Sequence, residues 1–462
     1  MNSAPLSPPS SPLSAADHVR ATLALGLPLI GSHVAQFGLH VTDTIMLGWY
    51  GVVPLAAGVL GASSFFVIFI MGSGFAKAVM PMVANAQSQG DEVQVRRVAR
   101  MGLWLSILFG VLIYPVFWWS EAILLALGQA TDVSALAQDY LRVVGLGMIP
   151  ALLVMVLKSY LSALERTQVV LWITVAAVPL NVAINWALIF GNWGAPELGV
   201  MGAAVATVVI QVGSLLFLCL YAGLLPSLRR YQLFIRFWRP DWGAFASVFR
   251  LGWPMGLTGL AESGLFQASA LMMGWIGTVE LAAHGIALEI TALTFMVHVG
   301  LSNAVTVRTG GFAGSGNYAA MRLGAKVAIV LSVVVAGLTM VVFLTLPEPL
   351  ISVFIDPAEP ARGIILAVGA SLLACAALFQ MADSMQVMAL GLLAGVQDTR
   401  VPMIYAAISY WLIGIPASYI LAFPMGFGAV GLWIGLVIGL ACAAVSLMAR
   451  FWSRLPAAAP RG

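Results

Sequence analysis

The chain has 462 residues, of which 61% are hydrophobic and only 8% are charged, and its mean hydropathy is +1.00. Soluble proteins carry about 25% charged residues, so the composition excludes a soluble globular protein and predicts a polytopic membrane protein. The net charge of +3 comes with no basic face, which excludes a nucleic-acid partner. The three cysteines lie in apolar runs without metal-ligand spacing or a disulfide framework.

Residues 1–20 form a Pro/Ser-rich segment without the basic and short apolar regions of a signal peptide. We expect this segment and residues 453–462 to be disordered cytoplasmic tails. Between them, charge clusters and Gly/Pro turns delimit twelve apolar runs that are each about 20 residues or longer, enough to cross a bilayer. The predicted spans are 21–47, 53–84, 96–119, 135–161, 168–190, 198–223, 245–275, 279–310, 320–345, 363–395, 401–424 and 428–452.

Lysines and arginines concentrate in the tails and in the even-numbered loops. Because positive residues stay on the cytoplasmic side of a membrane protein, both termini are predicted to be cytoplasmic. In a bacterium, we expect a chain with these spans and this orientation to be a multi-pass protein of the inner membrane.

An internal repeat aligns residues 25–58 with residues 251–284 without gaps, and the same offset pairs Gly74 with Gly300. Each repeat contains six spans, an even number, so the two repeats have the same orientation in the membrane. The predicted fold is therefore all-α, with twelve transmembrane helices in two parallel-repeat six-helix lobes around a central cleft. The lobes are predicted at 21–223 and 245–452, joined by a basic cytoplasmic linker at 224–244.

Four carboxylates, Asp43, Glu262, Glu289 and Asp383, lie inside apolar runs. A charge at the bilayer centre costs roughly 3 kcal/mol or more, and such residues usually face a cavity or an ion path. These four residues therefore predict a transporter.

In the first predicted span, His33, Gln36, His40 and Asp43 are spaced by three, four and three residues, which places them on one helix face. This face either lines the lobe interior or the cleft, or joins helices by hydrogen bonds. Both interpretations stay open for the histidines, whereas a functional role is favoured for Asp43.

Asn181 and Asn185 lie one turn apart in the fifth predicted span. Their carbonyl oxygens suit a cation site shared with Asp43, because hard cations prefer oxygen ligands. Hydrogen bonding between helices is the alternative for these two amides.

In the second repeat, Glu262 and Asp383 lie roughly 25 and 18 Å above the cytoplasmic side at 1.5 Å per residue, and Glu289 has a comparable depth. Carboxylates that share a pocket of low dielectric cannot all stay ionised unless a cation binds. The group is thus able to exchange a proton, Na⁺ or a cationic substrate, and a purely structural role is the alternative, most of all for Glu289. Aromatic and Met side chains with acidic groups, and almost no buried basic residue, favour lipophilic cations.

No catalytic motif is present: the sequence has no P-loop after a strand, no HExxH and no nucleophile elbow. We therefore expect no enzyme activity and no cofactor, and energy from a gradient of Na⁺ or H⁺.

Several segments resemble the multidrug and toxic compound extrusion (MATE) transporters from about Arg20 to Phe451. The segments are TDTIMLG, PLNVAINWALIFG, ELGVMGAAVAT, AVTVRTG and ADSMQVMALGLLAGVQDTRVP. The combination of Glu262 in AESGLF with Asp383 in ADSMQ is similar to the NorM-like rather than the DinF-like branch.

The resemblance implies an antiporter that exports varied, mostly cationic, lipophilic compounds in exchange for Na⁺ or H⁺. It implies cation binding and coupling, with Na⁺ a candidate ligand, at Glu262 and Asp383, and a second acidic site at Asp43, Asn181 and Asn185. Gln36, His40 and Phe379 are expected in the substrate cleft. Besides drugs and membrane lipid, no obligate protein partner is inferred.

Two positions depart from the family pattern. The eighth span reads AHGIALE where AHQIALN is common, so Gly285 replaces an amide and Glu289 adds a carboxylate. Phe379 replaces a tyrosine seen in some members and lacks its hydroxyl ligand.

The main alternative is a lipid-linked oligosaccharide or precursor flippase of the same superfamily. Flippases usually have fourteen spans and basic residues in the cavity, so twelve spans and an acidic cleft argue against this reading. From other classes, an ion channel would conduct faster than a carrier, and a membrane-embedded enzyme would cluster its catalytic groups at one interface.

Overall fold

The computed structural model describes residues 13–357 and 359–455, and every regular element within these ranges is helical. Twelve long helical segments coincide with the twelve predicted spans, which confirms the all-α membrane fold. In chain order these are α1 (Ala15–Tyr50), α2 (Val52–Ser88), α3 (Glu92–Trp118), α4a (Thr131–Leu146) with α4b (Met148–Ala163), α5 (Thr167–Phe190), α6 (Val200–Leu224), α7 (Trp242–Ile276), α8 (Thr278–Gly314), α9 (Tyr318–Thr345), α10 (Arg362–Gly395), α11 (Arg400–Ala422) and α12 (Gly428–Arg454).

Within the described residues, ten of these helices are individually long and apolar enough to cross a membrane, and the bent pair α4a and α4b makes an eleventh span. The remaining predicted span is α7, a continuous helix of 35 residues. Its sequence includes the charged Arg250 and Glu262, which lower its apolar content.

The structure corrects the predicted ends of the tails. The helix α1 begins at Ala15, inside the segment predicted to be disordered, and α12 continues to Arg454. The Ser14 hydroxyl accepts a hydrogen bond from the Asp17 amide at 3.2 Å and donates to the Asp17 carboxylate at 2.7 Å. This reciprocal capping stabilises the first turn. Residues 1–12 and 456–462 of the predicted tails lie outside the described residues.

The fourth span is broken where a single helix was predicted. Its two halves meet at Gly147 with a bend of 45°. Pro150 has no amide hydrogen, so it cannot donate to the carbonyl of Leu146, the last residue of α4a. The proline explains why the helical ladder is interrupted at this point.

The eleventh span changes its helix type near its middle. Residues Ile408–Gly414 form a π-helical segment between two α-helical parts. Pro416 follows directly and cannot donate to the carbonyl of Leu412, which favours the wider winding before it.

The chain folds into two compact units. Of the described residues, unit 1 contains 13–30, 267–357, 359–397 and 408–455, and unit 2 contains 31–266 and 398–407. The helices α1 and α7 therefore each contribute their first part to one unit and their second part to the other. The predicted lobes follow the internal repeat rather than this division, and they stay a prediction.

Equivalent glycines pack two helices closely in each unit. In unit 1, a Cβ atom on Gly300 of α8 would lie 2.6 Å from the backbone nitrogen of Ile30 on α1. In unit 2, a Cβ atom on Gly74 of α2 would overlap the backbone of Gly252 and Gly256 on α7. The sequence repeat pairs Gly74 with Gly300, so each unit contains its own copy of the same kind of helix contact.

We expect Gly74→Ala to destabilise the protein, because the added methyl group meets backbone atoms that cannot move like a side chain. Overpacking of this kind costs about 1–3 kcal/mol, which a thermal melt of the purified protein will show as a lower Tm. The matched control is Gly213→Ala on α6, where a Cβ meets nothing within 4 Å. This change should leave Tm equal or raise it, since alanine favours helix. Equal melting of Gly74→Ala and wild type would contradict the proposed close contact.

The predicted linker is an ordered segment that packs on α3. The buried guanidinium of Arg100 donates hydrogen bonds to the carbonyl oxygens of Ile235 at 2.5 Å and Arg236 at 3.3 Å. The indole nitrogen of Trp104, one turn along α3, donates to the carbonyl oxygen of Phe237 at 2.9 Å. Arg100 thus holds the linker in place by hydrogen bonds, in addition to being one of the positive residues that predict the cytoplasmic side.

Replacing Arg100 by methionine should release this segment. We expect chymotrypsin to cleave near Phe237 and Trp238 at least about fivefold faster in Arg100→Met, because local opening controls proteolysis. The control is Arg229→Met, whose side chain makes no hydrogen bond or ion pair in the described part of the chain. Unchanged cleavage of Arg100→Met would show that the linker is held by other contacts.

Candidate functional site

A carboxylate and two amides form a polar constellation in unit 2. The side-chain nitrogen of Asn185 donates to the Asp43 carboxylate at 2.5 Å and to the side-chain oxygen of Asn181 at 3.1 Å. Both asparagines are buried, and they share one face of α5 because they lie one turn apart. Thr207 of α6 lies in hydrogen-bonding range of the same carboxylate. The structure therefore brings together the three residues that the sequence predicted as one site.

The two threonines next to Asp43 on α1 use their hydroxyl groups within their own helix, so Asp43 is the polar residue of this segment that contacts the site. The Thr42 hydroxyl donates to the carbonyl of Gly38 at 2.8 Å, and the Thr44 hydroxyl donates to the carbonyl of His40 at 3.0 Å. Both hydroxyls are thus satisfied by their own helix.

One buried acceptor in this constellation has no hydrogen-bond partner among the described residues, namely the side-chain oxygen of Asn185. This holds with the amide oriented so that its nitrogen donates to Asp43, as the network requires. This unsatisfied oxygen belongs to the same constellation as the Asp43 carboxylate and the side-chain oxygen of Asn181. Oxygen ligands of this kind are those that a small hard cation prefers. The arrangement can hold Na⁺, or a proton on Asp43.

The polar stripe on α1 is only partly buried. His33 and Asp43 are half-buried, whereas Gln36 and His40 are exposed. The side chains of Gln36 and His40 make no hydrogen bond in the described part of the chain. The structure gives these two residues no role in joining helices, and their place in a substrate cleft stays a prediction.

The three other predicted carboxylates belong to different units. Glu262 is half-buried on α7 in unit 2, whereas Asp383 on α10 and Glu289 on α8 belong to unit 1. Asp383 is buried and Glu289 is exposed. The predicted meeting of these carboxylates at one site stays a prediction.

Asp383 lies on α10, which packs against α8 in unit 1. The Ser302 hydroxyl of α8 donates to the carbonyl of Val387 on α10 at 2.8 Å, which holds the two helices together. One turn before Asp383, the amide of Gln380 is fully buried and has no hydrogen-bond partner in the described ranges.

Unit 1 also contains a buried polar network that the sequence reasoning missed. The indole nitrogen of Trp433 donates to Nδ1 of His284 at 3.1 Å, and Nε2 of His284 lies 3.4 Å from the Ser269 hydroxyl. With Nδ1 accepting, the proton of the neutral imidazole is on Nε2. The only sequence signals are a histidine and a tryptophan within apolar runs.

Phe379 belongs to the same cluster, because its ring packs edge-to-face on Trp433 with centroids 5.6 Å apart. Its side chain is only 1% exposed. The structure thus places Phe379 in the core of unit 1, and its predicted role in the substrate cleft stays a prediction.

Two lysines lie within the spans of unit 2, Lys158 half-buried and Lys77 exposed, and the expectation of almost no buried basic residue stays a prediction. The ammonium group of Lys158 on α4b donates to the Thr174 hydroxyl of α5 at 2.8 Å, inside the membrane-spanning part of the chain. Lys77 on α2 lies near the same cluster, within electrostatic range of His33.

The MatE family model matches residues 28–187 and 254–420, two segments whose first residues, Pro28 and Pro254, are paired by the internal repeat. The chain is 46% identical to "Probable multidrug resistance protein NorM" of Rhizobium meliloti, with 95% of this chain and 94% of that protein aligned. It is 34% identical to "Multidrug resistance protein NorM" of Burkholderia vietnamiensis, with 98% of both chains aligned.

Solved structures share the fold at lower sequence identity. A MATE crystal structure in complex with MaL6 has a TM-score of 0.86 and 21% identity, with 95% of this chain and 96% of that chain covered. The eukaryotic MATE transporter AtDTX14 has a TM-score of 0.84 and 19% identity, with 96% and 97% covered.

Proposed function

Because the chain belongs to the MatE family, we propose that it is a secondary multidrug efflux antiporter. It exports lipophilic, mostly cationic compounds in exchange for Na⁺ or H⁺ by alternating access. Relatives that are named multidrug resistance proteins support efflux of small xenobiotic molecules. The chain is a multi-pass integral membrane protein, and we place it in the bacterial inner membrane with both termini in the cytoplasm.

The observation that carries the proposal is the constellation of Asp43, Asn181 and Asn185. It combines a carboxylate, two amides and one buried acceptor without a protein partner. A single carboxylate with amide oxygens suits a monovalent ion or a proton, which is what an ion-coupled exporter must bind and release.

The acidic residues Glu262, Asp383 and Glu289 supply the negative charge for which the ion and the drug compete. In the outward-facing state, Na⁺ or H⁺ neutralises the carboxylates and weakens binding of a cationic drug. Return to the inward-facing state releases the ion to the cytoplasm and restores drug affinity. Antiport needs this difference in affinity between the two states. We assign no cofactor to the chain beyond the coupling ion.

A flippase for a lipid-linked precursor is the second candidate, because Lys77 and Lys158 lie within the spans of unit 2. Two ammonium groups inside the membrane suit an anionic headgroup. The relatives' shared name and the constellation at Asp43 favour drug export, so the flippase is the reading that a negative transport result would support. An ion channel is the alternative from another class.

The proposal is tested by reconstituting the purified protein in liposomes loaded with the cationic dye rhodamine 123. Efflux is followed under an imposed Na⁺ gradient and then under a pH gradient. Dye movement that depends on one gradient establishes antiport and identifies the coupling ion. Absence of dye movement under both gradients would refute the proposal, and ion conductance without dye transport would indicate a channel.

A further inference from the structure

The linker between α6 and α7 buries one set of side chains and exposes another. The buried side chains are Leu228, Tyr231 and Leu233, each 3% exposed or less. In contrast, Trp238 is 72% exposed, and Trp242 at the start of α7 is 69% exposed. The segment joins the ends of two membrane spans, so its exposed side chains lie near the membrane surface. We call residues 234–242 the linker surface.

The backbone of the linker surface is held in one conformation by α3. The Arg100 guanidinium donates to the carbonyl oxygens of Ile235 and Arg236. The Trp104 indole donates to the carbonyl oxygen of Phe237, and the two rings stack with centroids 6.1 Å apart. Because three successive carbonyl groups bond to α3, the side chains of this segment extend from a fixed backbone.

A turn in the linker surface brings two exposed arginines close together. The Arg239 amide donates to the carbonyl oxygen of Arg236 at 3.1 Å, which closes a four-residue turn with Trp238 inside it. The first and last Cα atoms of such a turn lie within about 7 Å of each other. Arg236 has a φ of 55°, a left-handed conformation in which glycine would be unstrained. Strained backbone of this kind is concentrated at functional sites.

The positive charge of this turn is not neutralised by the carboxylates beside it. The carboxylate of Asp241 pairs with Arg97 at 3.2 Å, and that of Glu92 pairs with Arg230 at 3.5 Å. The two guanidinium groups of the turn make no hydrogen bond or ion pair in the described part of the chain. Their N–H donors are therefore available to an anion from outside the protein.

We propose that the linker surface binds an anionic phospholipid of the cytoplasmic leaflet. The guanidinium groups of Arg236 and Arg239 donate hydrogen bonds to its phosphate, whose oxygens match the planar fork of arginine. Trp238 contacts the region between headgroup and acyl chains, which tryptophan prefers. The inference rests on the proposed orientation of the chain, because basic segments on the cytoplasmic side attract anionic lipid.

The exposed aromatic side chains decide the source of the phosphate. A free phosphate would use only the arginines and would leave Trp238 and Trp242 in water. A phospholipid supplies a phosphate and an apolar part in one molecule, so it covers both kinds of side chain. The linker surface therefore fits a lipid better than a soluble phosphate.

The test is thermal melting of the purified protein in dodecyl maltoside with added dioleoyl phosphatidylglycerol or dioleoyl phosphatidylcholine. The two lipids share their acyl chains and differ in net charge. We expect the anionic lipid to raise the Tm of the wild type by about 3 °C or more above the value with the zwitterionic lipid, because a ligand of the folded state stabilises it. The double variant Arg236→Gln with Arg239→Gln should lose most of this difference, and Trp238→Ala should reduce it.

The matched control is the double variant Arg20→Gln with Arg400→Gln. It removes two exposed arginines from the same predicted side of the membrane and should keep the wild-type difference. If the double variant of the turn does not fold, Arg239→Gln alone carries the test and should remove about half of the difference.

Two results would overturn the inference directly: an equal response of the wild type to both lipids, or an unchanged difference in the variants of the turn. Equal stabilisation by sodium phosphate at the lipid concentration would also overturn it, since the site would then bind free phosphate. Melting does not require transport, so these results are separate from absent dye efflux, which would refute the proposed function.

Discussion

Asp43→Asn is expected to abolish ion-driven dye efflux, with a loss of at least about 100-fold in the initial rate. The substitution preserves the size of the side chain but removes the negative charge that the Asn185 amide contacts at 2.5 Å. A neutral site cannot bind Na⁺ with the same affinity and cannot exchange a proton. The measurement is rhodamine 123 efflux from proteoliposomes under the Na⁺ and pH gradients.

A control for Asp43→Asn is available on the next residue. Thr44→Val keeps the shape of the side chain and removes a hydroxyl that bonds only to the carbonyl of His40 in its own helix. We expect this variant to transport at the wild-type rate, because it leaves the ligand set intact. Full efflux by Asp43→Asn would remove this constellation from the coupling mechanism.

Asp383→Asn and Glu262→Gln are each expected to abolish resistance to cationic drugs while the protein stays in the membrane. Each change removes one of the charges that drug and ion compete for. The effect is measured as the minimum inhibitory concentration of ethidium in a host that lacks its own exporters, together with immunoblots of the membrane fraction. We expect the concentration to fall to the level of the empty vector.

Ser384→Ala provides the comparison for Asp383. Ser384 is buried beside it, and its hydroxyl donates to the carbonyl of Met381 at 2.9 Å within the same helix. Removal of this local bond should leave resistance unchanged. Full resistance in both Asp383→Asn and Glu262→Gln would contradict the assignment of these carboxylates to substrate and ion exchange.

The sequence predicted the spans well because each helix must satisfy its backbone within the membrane and needs about 20 apolar residues. It missed the break at Gly147, because the apolar run continues through Pro150 and only the missing amide hydrogen interrupts the helix. It also placed the start of α1 after Ala15, since the polar turn around Asp17 resembles a tail until its capping bonds are known. The division into units depends on contacts between distant residues, which no local pattern contains.

The constellation at Asp43 was predictable because Asn181 and Asn185 share a helix face and Asp43 is a rare charge in an apolar run. The hydrogen bond between Lys158 and Thr174 was not, because a lysine near a helix end usually extends to water. Only the position of Thr174 on the neighbouring helix shows where the Lys158 ammonium points. His284, Trp433 and Phe379 come from three different helices, so their network depends on the packing of unit 1.

The exchange of helix segments between the two units has a consequence for biosynthesis. The first part of α1 packs in unit 1, where Ile30 contacts Gly300, a residue that is translated 270 residues later. At about 5–20 residues per second, the ribosome needs roughly 15–50 s to supply this partner. The first span to enter the membrane therefore waits for its packing surface until α8 emerges, and unit 1 is completed only after most of the chain has been made.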